Sequence, residues 1–192
     1  MTKAARFIRN LRNRAFSLVE LMIVVAIIGV LSTIAIQGVR RYLANAKSAE
    51  AKMQIGRIAK SAVISFDQDR FATTGVMIAG ATVAIARQFC ATAASVPAAL
   101  TSVKGVKYQS SPSDWAGDTN TGWRCLRFTL DSPQAFQYAY AATVTAGAGD
   151  FTASAFGDLN GDGTTSSFVM SGAASGSVPR YSPSITETSP DE

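Results

Sequence analysis

The sequence predicts an α+β fold in which a long amino-terminal helix packs on a small antiparallel β-sheet. An apolar run from Phe16 to about Ile36 continues without a proline into an amphipathic segment that reaches Phe66. Short segments rich in aromatic and β-branched residues follow in the carboxyl-terminal half, separated by turn-forming residues. Because a domain of about 120 residues buries only a modest part of its surface alone, the helix is expected to complete its core.

The apolar run is long enough to cross a hydrocarbon core of about 30 Å, and its single charge is Glu20. A secretory signal would be cut after the run, but Gly29 to Gln37 offers no convincing A-x-A site. A plain membrane anchor explains the length and leaves Glu20 without a partner. An isolated acid in lipid costs about 2.5–3.5 kcal/mol at a helix centre and less near an end. Glu20 is therefore expected to have a partner.

A third interpretation rests on the residues around Phe16. Arg14-Ala15, followed by Phe-Ser-Leu-Val-Glu-Leu-Met-Ile-Val-Val-Ala-Ile-Ile-Gly from Phe16 to Gly29, resembles the amino-terminal signature of type IV prepilins and type II secretion pseudopilins. The resemblance covers about 25 of the 192 residues. It implies a pilin-like fold, cleavage of a basic leader (1–15) between Ala15 and Phe16 by a prepilin peptidase, and N-methylation of Phe16. The family usually has glycine before the cut, so Ala15 is a departure that we expect to slow processing without abolishing it.

The same resemblance gives Glu20 a role in assembly. In the family, the matching acid pairs with the terminal amine of a neighbouring subunit. Ser17 and Glu20 also have the spacing of a capping box, which would close the start of the helix. Capping and pairing are compatible, since capping can precede assembly.

The positive charge of the chain lies in the predicted leader. The 18 basic and 13 acidic residues give a net charge of +5, which alone would suggest nucleic acid or an acidic membrane surface as a partner. Five of the basic residues precede Phe16 and every acid follows it, so cleavage would leave 13 basic and 13 acidic residues. A neutral mature chain argues against a general electrostatic receptor for DNA.

The helix is expected to continue beyond the membrane as an amphipathic segment. One apolar stripe repeats every three or four residues, which is the helical period: Ala51, Ile55, Ile58, Ala62 and Phe66. Gly38 weakens a helix interior by about 1 kcal/mol relative to alanine, so local melting there is an open alternative. The predicted divisions are the leader 1–15, an assembly helix 16–38, its amphipathic continuation 39–70, a globular domain 71–177 and a flexible tail 178–192.

Four consecutive strands are predicted in the globular domain, and an antiparallel meander packed on the helix is the natural arrangement. They are Trp123 to Leu130, Ala135 to Thr145, Phe151 to Phe156 and Ser166 to Met170. The pattern over 71–122 does not distinguish helix from loop. The segment from Val178 carries three prolines, which favours a flexible tail.

Cys90 and Cys125 are the only two cysteines. In a domain delivered to the periplasm they are expected to be oxidised to a disulfide, which would close a loop of about 35 residues. Two buried free thiols are the alternative. Because Cys-x-x-Cys spacing is absent, a disulfide here would stabilise the fold and have no redox role.

The segment Asp158-Leu-Asn160-Gly-Asp162-Gly matches the start of a calcium loop, with oxygen ligands at positions one, three and five. Val169 stands at the twelfth position, where the closing acid is expected. Some pseudopilins similar to this chain bind calcium near the carboxyl end, which supports calcium as a cofactor held by Asp158, Asn160 and Asp162. A turn built from Asn-Gly and Asp-Gly without metal is the alternative.

Catalysis has little support in the sequence. The chain has no histidine, which excludes His-dependent triads and His-ligated metals, and no phosphate-binding glycine loop is found. A patch for single-stranded DNA could be imagined from two lysines and three aromatic residues. Scattered surface lysines and core tryptophans are the simpler interpretation of that set, which comprises Lys104, Lys107, Tyr108, Trp115 and Trp123.

The sequence therefore predicts a non-enzymatic subunit, a major or minor pilin, of a type IV pilus filament. A type II secretion pseudopilin is the alternative within the class, and a low-abundance adhesion or ligand-binding tip subunit is the alternative from another class. The resemblance implies other pilin subunits, a prepilin peptidase and an inner-membrane platform driven by an assembly ATPase as partners. The precursor would lie in the bacterial inner membrane and the product in a periplasm-spanning or cell-surface filament.

Overall fold

A computed structural model describes residues 16–71 and 85–190. The chain divides into two compact units, Met1–Tyr42 and Leu43–Glu192. Helix α1 (Leu18–Phe66) begins in the first unit and ends in the second. It is a single 49-residue helix that continues through Gly38, so the structure shows no break at the predicted weak point.

The second half of α1 forms part of the core of the larger unit. All five residues of the predicted stripe are fully buried: Ala51, Ile55, Ile58, Ala62 and Phe66. Alanines in this stripe let the helix approach its neighbours closely, and the larger side chains fill the remaining space. The predicted amphipathic face is confirmed.

An antiparallel sheet supplies the rest of this core. Its strands are β3 (Ala93–Val96), β4 (Gln137–Thr145), β5 (Ala148–Gly157), β6 (Ser166–Ser175), β7 (Val178–Tyr181) and β8 (Thr186–Thr188). They are arranged in the order β3-β4-β5-β6-β7, and β8 also pairs with β6. Alternate residues of the three long strands are buried, which is the two-residue period of a sheet with one covered face. The predicted meander is therefore confirmed for β4, β5 and β6.

The segment 71–122, which the sequence pattern left open, contains short elements. β1 (Arg70–Phe71) pairs with β2 (Ile85–Ala86), and a 3₁₀ helix covers Leu100–Val103. β3 pairs with β4 at one edge of the main sheet.

The strand predicted from Trp123 to Leu130 is wrong, because a short helix α2 (Gly122–Leu126) occupies this segment. Gly122 has a φ of 70°, and a Cβ there would meet the carbonyl of Ala116. The Trp123 indole N–H donates to the carbonyl of Ala94 at 2.7 Å. The aromatic residues that suggested a strand are thus core residues of a compact helical turn.

The flexible tail predicted from Val178 is also wrong, since β7 and β8 both pair with β6. Pro179 is tolerated because an edge strand has one free side. The Ser48 hydroxyl donates to the carbonyl of Pro190 at 2.9 Å, and Lys52 forms an ion pair with Glu187 at 2.8 Å. These contacts with α1 hold the segment through Pro190 in place.

Candidate functional site

The first turn of α1 carries the predicted assembly residues. The Ser17 hydroxyl accepts a hydrogen bond from the backbone N–H of Glu20 at 3.2 Å. The Ser17 carbonyl accepts one from the N–H of Leu21, also at 3.2 Å. Ser17 therefore caps the helix and supplies one half of the predicted capping box.

The carboxylate of Glu20 is exposed in this first turn, where the partial positive charge of the helix start favours an acid. Among the residues that the structure describes, Glu20 forms no ion pair. The carboxylate is thus available to an amine from outside the chain. Its role in assembly stays a prediction.

The first half of α1 presents apolar side chains around its whole circumference. Every residue from Leu18 to Val39 is exposed, including bulky side chains such as Leu21, Ile28 and Leu31. A helix that is apolar all round belongs in a protein core or in lipid. Leu18–Phe66 contains a window of mean hydropathy 2.6 with none of its residues buried, so its length and composition are those of a membrane-crossing helix. This surface requires cover from lipid or from other chains.

One known family model matches this apolar segment and the residues just before it. Residues 10–36 match the family model described as the prokaryotic N-terminal methylation motif. The matched residues include the start of α1 and most of its apolar half. The resemblance predicted from the sequence is thereby confirmed for this region.

The pilin-type match is confined to one part of the chain. A type IV major pilin protein, PilA of Myxococcus xanthus, is 51% identical over 53 residues. These residues make up 28% of this chain and 23% of the relative, so the chain matches about a quarter of the length of that pilin. No solved structure matches the chain significantly.

The pilin-type motif includes the predicted processing site. Phe16 is described and lies just before α1, whereas Ala15 and the leader 1–15 lie outside the described residues. Cleavage between Ala15 and Phe16, and methylation of Phe16, stay predictions.

The predicted disulfide joins Cys90 to Cys125, with the two Cα atoms 5.8 Å apart. It ties α2 to the segment that leads into β3. Both cysteines are buried among the aromatic residues of the core. The bond is therefore in a position to stabilise the fold, as its sequence spacing predicts.

The candidate calcium loop connects β5 to β6. The buried Asp158 carboxylate accepts hydrogen bonds from the backbone N–H groups of Gly161 at 2.7 Å and Gly163 at 2.9 Å. The Asn160 side-chain oxygen accepts one from the Asp162 N–H at 2.8 Å. The Lys104 ammonium lies 3.8 Å from Asp158.

These contacts support the turn alternative, because hydrogen bonds within the chain hold the loop closed. The Thr164 N–H lowers the pKa of the Asp162 carboxyl, and the bond from Asn160 contributes in the same direction. The three predicted ligands lie in one turn and carry oxygens, the atoms that a hard cation prefers, while Lys104 competes for Asp158. Calcium binding by Asp158, Asn160 and Asp162 stays a prediction.

The two tryptophans of the alternative DNA-binding patch do not lie on the surface. Trp115 and Trp123 are 4% and 1% exposed and belong to the core. The Tyr108 hydroxyl donates to Asp114 at 2.9 Å, and this bond raises the pKa of the tyrosine. The interpretation of these tryptophans as core residues is correct.

Sequence reasoning missed a recess beside α2, which we call the arginine recess. It has a volume of about 570 Å³, and its lining includes Trp115, Trp123, Arg124, Arg127 and Phe128. The only sequence signal was a pair of arginines flanking Cys125. Arg127 adopts a left-handed conformation at the end of α2, with a φ of 52°.

Proposed function

We propose that this chain is a structural subunit of a type IV pilus-type filament. The observation that carries the proposal is an apolar helix half, exposed on all sides and bearing the methylation motif, followed by a folded, disulfide-linked domain. Such a helix half has two stable environments, a bilayer and a bundle of like helices. Transfer from the first to the second keeps its apolar surface covered throughout.

The proposed sequence of events begins with the precursor in the bacterial inner membrane. Prepilin peptidase cuts between Ala15 and Phe16 and methylates the new amine of Phe16. A platform driven by an assembly ATPase then moves the subunit into the base of the filament. There the Glu20 carboxylate accepts the amine of a neighbouring copy, which fixes the axial register of the two helices.

Several features support a structural role over an enzymatic one. The apolar helix half accounts for the membrane and for assembly, and the chain has no histidine to act as a general base. The relative that matches the amino-terminal region is named a major pilin, which supports a filament subunit of the pilin and pseudopilin class. Abundance in the filament separates a major from a minor pilin.

The deciding measurement is quantitative mass spectrometry of sheared surface filaments beside the membrane fraction. We expect the chain to begin at a methylated Phe16 and to dominate the filament. A processed but scarce chain would instead indicate a minor pilin, a pseudopilin or a tip subunit. A chain that retains Met1 in mature membranes would contradict the proposal.

Glu20→Ala tests the pairing step. We expect normal processing and normal membrane levels, with filament-associated protein reduced by about tenfold, the loss expected for roughly 1.4 kcal/mol per contact. Glu50→Ala is the matched control, since Glu50 is an acid of the same helix outside the apolar half. Filaments that contain Glu20→Ala at the control level would refute the role of this carboxylate.

A further inference from the structure

One face of the sheet is not used by the proposed helix packing, and we call it the outer face. The opposite face is buried with α1 in a single core. The outer face carries an open depression of about 800 Å³ over β5, β6 and β7. Its lining includes six side chains that point outward from these strands: Asp150, Thr152, Ser171, Ala173, Val178 and Arg180. At the depression the middle strand contributes only serine, glycine and alanine, so a second surface can approach the sheet closely.

The charges of the outer face are confined to one row of paired residues. Backbone pairing places Asp150 of β5 opposite Ala173 of β6, and Ala173 opposite Arg180 of β7. Asp150 and Arg180 therefore point to the same face, two strand spacings or about 10 Å apart, with Ala173 between them. Both charged side chains are exposed.

No other charged residue of the six strands faces the depression. The remaining charge in these strands, Glu187 of β8, is paired with α1 on the opposite face at 2.8 Å. Arg87, whose carbonyl accepts a hydrogen bond from the turn between β4 and β5, is paired with Asp69 at 3.4 Å. The charged loop between β5 and β6 lies at the far end of these strands. Asp150 and Arg180 form no ion pair with each other or with any other residue that the structure describes.

This pattern selects an occupant with balanced charge. One carboxylate and one guanidinium cancel, so the face has little attraction for a polyanion such as nucleic acid, or for a polycation. An occupant must instead offer one base and one acid at the same separation, together with small side chains that permit close approach. The same face of a second copy offers all of these features.

Symmetry decides how two such faces meet. A two-fold axis that runs parallel to β6 between the two sheets, over Ala173, places Asp150 of each copy opposite Arg180 of the other. Two equivalent ion pairs then form. A two-fold axis that crosses the strands over Ala173 would instead bring like charges together. Sheets that pack face to face lie about 10 Å apart, a gap that an arginine and an aspartate side chain can bridge together.

We propose that the outer face of β5, β6 and β7 binds the same face of a second copy around the two-fold axis parallel to β6. The inference rests on the proposed filament function and extends it to contacts between filaments. A two-fold contact is closed and joins only two copies, whereas subunits along one filament repeat by heterologous contacts. The two copies therefore belong to neighbouring filaments, and the contact holds these filaments side by side.

Charge reversal in the full-length chain tests the pairing. Asp150→Arg alone, or Arg180→Asp alone, brings like charges together at both ends of the contact. Either change should reduce side-by-side association of sheared filaments by about tenfold, measured by low-speed sedimentation and electron microscopy. The combined reversal restores both ion pairs and should recover association to within about threefold of wild type. Arg124→Asp is the matched control, since it reverses an exposed arginine of α2 outside this face, and it should leave association unchanged.

Mixing the two single variants tests the two-fold geometry itself. Filaments of Asp150→Arg carry two bases on this face and those of Arg180→Asp carry two acids, so neither should associate with itself. Mixed in equal amounts, they should associate to within about threefold of wild type, because each acid meets a base of the other filament. Single variants that associate like wild type, a combined variant that is not rescued, or a mixture that stays dispersed would each overturn the proposal.

Cross-linking locates the axis. Ala173 lies on the proposed axis, so a short bismaleimide should join Ala173→Cys to its own counterpart in associated filaments. Thr143→Cys is the matched control, because Thr143 is an exposed residue of β4 in the same row and its counterpart would be displaced by about 19 Å across the face. Both native cysteines are in the Cys90–Cys125 disulfide, so the introduced thiol is the reactive one. Absence of the cross-link from Ala173→Cys, or equal cross-linking of the control, would overturn the proposed axis.

The outcomes separate this proposal from the filament proposal. If wild-type chain is missing from filaments, the filament function is contradicted, and the contact between filaments with it. If the single reversals prevent filament formation while membrane levels and Tm are unchanged, the face acts within a filament, and the contact between filaments is wrong. If association persists and only attachment to another surface is lost, the face binds an external ligand, and the proposed occupant is wrong.

Discussion

The clearest test of the fold compares two isoleucines of the same helix. Ile58 is fully buried against the sheet, whereas Ile64 is 52% exposed. Replacing either residue with alanine has the same effect on intrinsic helix propensity, so the difference between the two variants isolates burial. Ile58→Ala removes packed methyl and methylene groups and leaves a cavity, which costs about 2–5 kcal/mol.

The expected difference is measurable by thermal unfolding of the full chain in detergent micelles with the disulfide intact. For a unit of this size, 1 kcal/mol shifts Tm by about 2–4 °C, so a loss of about 3 kcal/mol should lower Tm by about 6–12 °C. Ile64→Ala should stay within about 0.5 kcal/mol of wild type. Equal destabilisation by the two substitutions would refute the packing of this face of α1 on the sheet.

Three further predictions concern the loops. Serine at both Cys90 and Cys125 should lower the free energy of unfolding by about 3–4 kcal/mol, because a loop of 35 residues is released in the unfolded chain; a denaturant titration measures this loss, and an unchanged midpoint would contradict it. Asp158→Ala should lower Tm even in a chelator, because two backbone N–H groups lose their acceptor; a loss that appears only with added calcium would instead support the metal site. Backbone N–H groups lower the pKa of Asp114 and Asp118 below the ordinary value of 3.8, so their contribution is present above that pH and lost as pH falls through the lower native pKa. Below about pH 4, the free energy of unfolding should therefore fall less steeply with pH when both residues are asparagine. An unchanged dependence on pH would contradict the contribution of these two carboxylates.

The sequence was sufficient for the elements whose pattern is long and regular. The stripe from Ala51 to Phe66 repeats over about four helical turns, and β4, β5 and β6 are nine or ten residues long. In both cases one face is buried over most of the element, so the period of apolar residues directly reports the structure.

Prediction failed where tertiary contacts override a short local pattern. Trp123 and Phe128 are residue types that favour a strand. The Cys90–Cys125 disulfide and the close approach of Gly122 to Ala116 nevertheless impose a helical turn. The prolines after Val178 suggested a flexible tail because the free edge of β6 is not visible in the sequence. The arginine recess was missed for a related reason, since it depends on how this turn is folded.

The apolar half of α1 shows why a single carboxylate, Glu20, can direct assembly. For the apolar half, lipid tails and neighbouring helices are nearly equivalent surroundings, so apolar burial alone gives little preference for the filament. Glu20 differs, because a carboxylate within the apolar run lacks a partner in lipid and gains an amine in the proposed bundle. The preference for the filament is therefore concentrated in a group whose removal leaves the apolar surface almost unchanged. Glu20→Gln, which keeps the shape of the side chain and removes its charge, should accordingly remain in the membrane fraction and be depleted from filaments.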